Sequence, residues 1–346
     1  MNEKIRVHTH NEWDPLREII IGAIEGAQMP SVKDEALHSI NYGNVSDEDF
    51  DKVRTGLYPD RVIEETREDL ALFAEALTKQ GIRVHRSRAV DFSERYNTAD
   101  WSVDGYYAYC PRDSIFTIAE QAIETPMVLR HRQNEAERIL RHLFADTIIA
   151  PRPRLLDSMY DRSVLGRFTL CNEEPAFDAA NLLKCGRDII FQISNTGNYR
   201  GAAWLQEHLG PGYRVHPVDN VYAFIHIDST IIPLRPGLVL LCPDRVKPEN
   251  VPPVLAKWDK IWAPEPNPMS CDPSLDPASK WIAMNIMSLS PDLVVVEKNQ
   301  HNLMRALEKH GIDSMPVQLR HMRSLGGGPH CITLDVWRDG ELEDYS

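Results

Sequence analysis

The chain has no Cys-x-x-Cys pair, no phosphate-cradling glycine loop, no long apolar run and no surplus of positive charge. Each absence removes a class of function. Lys and Arg number 38 against 51 Asp and Glu, a net charge of −13, whereas surfaces for nucleic acid or anionic membrane need clustered cations. The most apolar stretch, Thr230 to Cys242, is cut by Pro233, Arg235 and Pro236 and cannot span a bilayer. The start, Met1 to Arg6, leads into polar residues without an apolar signal core, so a cytoplasmic location is expected. The six cysteines, Cys110, Cys171, Cys185, Cys242, Cys271 and Cys331, are not grouped with His at zinc spacing. Free thiols and no metal are therefore expected. Without GxGxxG or a Walker-type loop, no nucleotide cofactor is indicated. What is present is ample: 346 residues, 42% of them hydrophobic, can bury a sizeable core. That length allows two ordinary domains or one closed repeat architecture.

A weak internal repeat is present. Ala76-Leu77-Thr78-Lys79-Gln80-Gly81-Ile82 recurs as Ala306-Leu307-Glu308-Lys309-His310-Gly311-Ile312, and more loosely as Trp204 to Gly210. Each reads as an amphipathic helix closed by a glycine and followed by a short strand. Five polar motifs stand at the head of strand-like runs: Pro111-Arg112-Asp113, Phe177 to Asn181, His226-Ile227-Asp228, Ser279-Lys280-Trp281 and His330-Cys331. The runs after the last two begin at Ile282 and Ile332. Successive motifs are 65, 48, 53 and 52 residues apart. A period near 50 residues suits either a closed ring, in which five strand heads converge on one pocket, or an ordinary α/β protein with five unrelated turns.

Cys331 follows Leu325-Gly326-Gly327-Gly328-Pro329-His330. Consecutive glycines allow close backbone approach and can present amide donors. Beside His330, the thiol reads as a nucleophile of lowered pKa, or else as a buried structural cysteine. His226 and Asp228, two apart in an expected strand, would face one space, with His226 as general acid/base and Asp178 as its orienting carboxylate. Asp113, Asp178 and Asp228 together make an acidic pocket, which suits the planar fork of a guanidinium. Arg245 reads as a clamp for a substrate carboxylate or as one half of a surface ion pair. A substrate such as arginine, cationic at one end and anionic at the other, fits this set.

These motifs, with Asn11 to Leu16, Tyr109-Cys110-Pro111-Arg112-Asp113, Glu174 to Asn181, His226 to Thr230, Arg235-Pro236-Gly237, Met284-Asn285 and Ser324 to Cys331, resemble the amidinotransferase family nearly end to end. The resemblance implies an α/β fold, one domain over residues 1–346, built as a five-bladed, pentein-like propeller of ββαβ modules with pseudo-fivefold symmetry. It implies no cofactor, an arginine donor and an amine acceptor (lysine, glycine or an aminocyclitol phosphate), ornithine as product, bacterial specialised metabolism and a homodimer. It also implies Cys331 as nucleophile, His226 as acid/base and Asp178 as its orienter. Asp113 and Asp228 would bind the guanidinium, and Arg245 and Ser279 the donor carboxylate. The chain departs from the family in Tyr222-Ala223-Phe224-Ile225, before His226; Phe224 and Ile225 are the acceptor-side candidates and suit a slim aliphatic amine. An arginine deiminase-type hydrolase on a related scaffold, or a non-catalytic arginine-binding module, are the competing readings.

Overall fold

A computed structural model describes residues 4–163, 168–222, 224–275 and 277–345. Met1 to Glu3, used in reading the chain start, and Ala223 of the departing segment lie outside the described residues. Among those described, no helix is long and apolar enough to cross a membrane.

Five three-stranded sheets share one plan. In each, a first strand pairs antiparallel with a second, which pairs parallel with a third. The sets are Ile115–Ile118, Gln121–Glu124 and Ile148–Ile149; Leu182–Cys185, Asp188–Gln192 and Arg214–Val218; Ile231–Arg235, Leu238–Leu241 and Asp259–Trp262; and Met287–Ser290, Leu293–Glu297 and Asp313–Val317. The fifth joins the two ends of the sequence: Thr333–Arg338 pairs with Leu16–Ile21, which pairs with Arg83–Arg86.

A parallel step needs a crossover. In three sheets it is made by the helices found in the repeat: Asp60–Lys79, Tyr199–Leu209 and His301–Glu308. Val62, Thr66, Leu70, Phe73 and Leu77 bury one face of the first. The glycines that follow, Gly81, Gly210 and Gly311, have φ of +80°, +69° and +71°, the left-handed region that ends a helix at little cost for glycine. The other two crossovers use a helix of only 5 residues, Glu135–Ile139, and two 3-10 turns, Pro248–Asn250 and Pro253–Leu255. That is why the sequence repeat shows three copies and not five.

The first strands are almost wholly buried, and between them the interior is polar. The ammonium of Lys184 lies 3.0 Å from Asp335 Oδ2, the Thr117 hydroxyl donates to the Asp335 carbonyl at 2.8 Å, and Arg338 Nη2 donates to the Ser288 carbonyl at 2.9 Å. Four first strands thus meet through charge and hydrogen bonds as well as through shared apolar clusters, such as Ile115 with Leu334 and Phe116 with Leu182. Buried charges are tolerated only when paired this way.

Two local expectations are corrected. Ile282–Met284 is not a strand: Lys280–Met284 forms a 3-10 helix whose first turn is capped by the Ser279 hydroxyl, and the strand starts at Met287. His226–Asp228 is not a strand either. The Ile227 carbonyl accepts from Thr230 and Ile231 N–H groups at 2.8 and 3.1 Å, closing a turn before Ile231–Arg235.

Candidate active site

The heads of the first strands open onto one cavity of about 430 Å³, and all nine residues singled out from the sequence line it. Its floor holds Asp113, Asp178, Asp228 and Cys331, each buried to 3% exposure or less.

His226 stands between two carboxylates. Its Nε2 is 3.0 Å from Asp178 Oδ2, and its Nδ1 is 3.7 Å from Asp113 Oδ1, a buried oxygen with no hydrogen bond of its own among the described residues. Burial alone would discharge the ring. The charge of Asp113, then the hydrogen bond and charge of Asp178, outweigh it and push the pKa up to about 9. Both ring nitrogens therefore face acceptors, and the imidazolium is the resting form at neutral pH. Asp178 is itself held by the Val128 N–H at 3.2 Å.

The Cys331 thiol donates to Asp228 Oδ2 at 3.1 Å. That oxygen also accepts from His330 Nδ1 at 2.8 Å. His330 thus serves the carboxylate, not the sulfur. The expectation of a lowered thiol pKa is reversed: the neighbouring Cys110 thiol, burial and the charge of Asp228 push it well above the ordinary value. Asp228 stays ionised, because the His330 hydrogen bond and the nearby imidazoles overcome its burial.

The glycine run does not present free amides either. Gly326, in a left-handed conformation, closes the helix Met322–Leu325 and its N–H bonds the Met322 carbonyl. Gly327 donates to the same carbonyl at 3.2 Å. Gly328 and Cys331 donate to Asn285 Oδ1 at 3.1 and 2.9 Å. The glycines are there for space: a Cβ on Gly327 would lie 2.6 Å from Cys110 Sγ, and one on Gly328 2.9 Å from Asn285 Cβ.

The rim is different. Arg245 is half-buried and Ser279 exposed. The guanidinium bonds the Ser229 and Thr230 hydroxyls at 3.1 and 3.0 Å and the Ser279 hydroxyl at 3.0 Å, and it stacks 4.0 Å from the Tyr222 ring centroid. The surface ion pair is not what forms: among the described residues no carboxylate pairs with it. A guanidinium fixed by neutral groups on a cavity wall keeps its charge available for an anion. Phe224 and Ile225 are half-buried on the same rim, and Ile225 packs on the apolar cluster of Ile40 and Leu129.

Sequence reasoning missed the supports. Arg132 Nη1 donates to Asp113 Oδ2 at 2.7 Å, and its Nε and Nη2 fork onto Glu135 at 2.6 and 2.7 Å. Asn285 ties the Cys331 loop to the carbonyl of Asp228, to which its Nδ2 donates at 3.1 Å. The only trace was indirect: Asn285 lay in a matched motif without a role, and Arg132 ends a basic triplet that follows the apolar run Met127 to Leu129.

No family model matches the chain. Single relatives match it throughout. It is 45% identical to inosamine-phosphate amidinotransferase 1 of Streptomyces glaucescens, covering 98% of this chain and 99% of that one. It is 34% identical to the L-arginine:L-lysine amidinotransferase of Pseudomonas savastanoi pv. phaseolicola, covering 98% and 96%. The solved inosamine-phosphate amidinotransferase of Streptomyces griseus superposes with a TM-score of 0.93 at 44% identity, over 98% and 99% of the two chains. Dimethylarginine dimethylaminohydrolase, 14% identical with a TM-score of 0.58 over 92% and 99% of the chains, shares the fold alone. Scaffold and cavity are thus those of an α/β transferase. More narrowly, this chain belongs to the amidinotransferase family.

Proposed function

We propose that the protein is an L-arginine:amine amidinotransferase working through an amidino group held on Cys331. The observation that carries this reading is the placing of a charged His226 and a thiol on the floor of one carboxylate-lined cavity. Arginine enters with its carboxylate on Arg245 and Ser279 and its guanidinium against Asp113 and Asp228. The incoming cation reverses the local field that keeps the thiol protonated, and that proton leaves to solvent through the cavity mouth. The Cys331 thiolate attacks the guanidinium carbon. His226 protonates the δ-nitrogen as its bond to carbon breaks, and ornithine departs. The amidino-thioether remains, and His226 is now neutral. An acceptor amine attacks, His226 takes its proton, the carbon–sulfur bond breaks and the thiolate returns. This is covalent catalysis with ping-pong order.

The five sheets with a common plan, their first strands joined by buried polar contacts, support a single propeller domain over 1–346, with fivefold pseudosymmetry about that polar centre. Amidino transfer in bacterial specialised metabolism accords with the bacterial relatives. Their names differ in the acceptor, so acceptor choice falls to the rim, where Phe224 and Ile225 favour a slim aliphatic amine such as lysine over a phosphorylated aminocyclitol. A cytoplasmic homodimer completes the proposal, on the family resemblance.

The test is incubation with arginine and a panel of amines. Ornithine with a guanidino product is expected. Citrulline with ammonia would make the protein a hydrolase, and no turnover would leave only binding.

A further inference from the structure

His330 adjoins the nucleophile in sequence, yet it takes no part in the steps above. Its contacts are all with the machinery behind them. Its Nδ1 meets Asp228 Oδ2 at 2.8 Å. Its Nε2 lies 3.5 Å from Glu12 Oε2, a buried oxygen without a hydrogen bond of its own among the described residues. Its backbone is pinned as well: the carbonyl accepts from Arg112 Nε at 2.9 Å, and the N–H donates to the Asn285 carbonyl at 3.2 Å. The other oxygen of Glu12 accepts the Lys184 N–H at 2.9 Å, in the strand whose ammonium reaches Asp335. A continuous chain of polar contacts thus runs from the cavity floor into the buried centre.

We infer that His330 is a positioning residue, which fixes the donor-binding carboxylate of Asp228 and is fixed in turn by Glu12. This rests on the amidinotransferase reading above. The physical need is plain. Asp228 Oδ2 has two donors, His330 and the Cys331 thiol. When the thiol loses its proton, the second bond is lost and the sulfur becomes an anion beside the carboxylate. Only His330 then holds Oδ2 in place against that repulsion while the guanidinium is bound. A buried carboxylate left without its donor would turn or take up a proton, and either would weaken its grip on a cation.

Two substitutions separate the two ring nitrogens. In His330→Asn the amide nitrogen falls near the place of Nδ1, so the bond to Asp228 is kept and that to Glu12 lost. In His330→Gln the amide reaches toward Glu12 and the bond to Asp228 is lost. The measurement is the single-turnover release of ornithine as a function of arginine concentration, with melting temperature recorded for each variant. His330→Asn should stay within about threefold of wild type. His330→Gln should raise the half-saturating arginine concentration roughly 10- to 100-fold, the scale of one hydrogen bond to a charged group, with a smaller change in the limiting rate. Glu12→Gln should follow in the same direction by a few-fold only.

Equal impairment of the Asn and Gln variants, or a loss that tracks melting temperature, would make His330 merely structural and overturn the inference; so would wild-type behaviour in both. Citrulline in place of ornithine from the wild type would instead overturn the transfer reading, and the Asn–Gln contrast, read as citrulline release, would still decide the role of His330.

Discussion

The floor and the rim of the cavity are built by different rules. On the floor, Asp113, Asp178, Asp228 and Cys331 are buried, and each is supported by a second polar group. Asp113 is backed by Arg132 and Glu135, Asp228 by His330, Asp178 by a backbone N–H, and the Cys331 loop by Asn285. On the rim, Arg245 leans on hydroxyls and one aromatic face, and Phe224 is half-buried beside the loop of Gly43, where a Cβ would come within 3.6 Å of its ring. The floor comes from strand heads joined to the polar centre, the rim from the connecting segments. A reaction that must place atoms to a fraction of an ångström needs the first kind of support. A choice among amines of different shape is better left to the second, which can change without disturbing the chemistry.

The contrast breaks most completely at the sulfur. Arginine without an acceptor should release about one ornithine per active site in a burst and leave an amidino group on Cys331 alone. Peptide mass spectrometry after acid quench locates it. Cys110 is the rival, because it touches the same loop, but Cys331 lines the cavity and Cys110 is not among the lining residues. Cys331→Ala should abolish both burst and turnover.

Next in size is His226. His226→Asn should lose about 10²- to 10⁴-fold in turnover while still binding arginine, since the carboxylates proposed to hold the guanidinium remain. The same variant sharpens a pH argument. The folded pKa near 9 lies above the ordinary 6.5, so the ion pair with Asp113 and Asp178 stabilises the fold fully below about pH 6.5. That contribution fades as pH rises through 9. The wild-type melting temperature should therefore fall over that window more steeply than that of His226→Asn. Parallel curves would mean that the ring is neutral at rest.

The difference between floor and rim also decides what the sequence could tell. Asp113, Asp178, His226 and Cys331 were legible because each precedes a strand, and strand heads recur at a readable period. Asp228 was found by a wrong route, strand alternation, when a turn delivers it to the same space. The partners were illegible, because a buried Arg132–Glu135 pair looks in sequence like any helix-surface salt bridge at i, i+3 spacing. Only tertiary placement reveals its burial. The protonation state of the thiol was likewise out of reach: adjacency to His330 pointed one way, while three-dimensional contact with Asp228 and Cys110 points the other. Of the fold, the three longer crossover helices were visible and the other two crossovers were not, since a helix of 5 residues or a pair of 3-10 turns cannot carry an amphipathic period.

Moving to the rim, Arg245→Ala should raise the Michaelis constant for arginine about 10- to 100-fold, the worth of a charged hydrogen bond, and leave the saturated rate nearly unchanged. The carboxylate it would hold is remote from the reacting carbon, so the loss is one of uniform binding. An unchanged constant would remove Arg245 from the donor site.

The smallest effect is expected at Phe224, and it tests the comparison most finely. If the rim selects the amine and the floor does the chemistry, Phe224→Ala must leave the first half-reaction alone. Its burst of ornithine should match wild type in rate and amplitude, because donor and thiol meet below the rim. The second half-reaction should change instead. Removing the ring widens the mouth beside Gly43, which relaxes the preference for a slim amine over a bulky one by roughly tenfold or less, the discrimination that a few apolar contacts can supply. Competition between lysine and a bulkier cyclic amine for the preformed amidino-enzyme reads this ratio directly, free of any effect on arginine binding. A slower burst with unchanged amine preference would place Phe224 in donor binding, and the division between floor and rim would have to be redrawn.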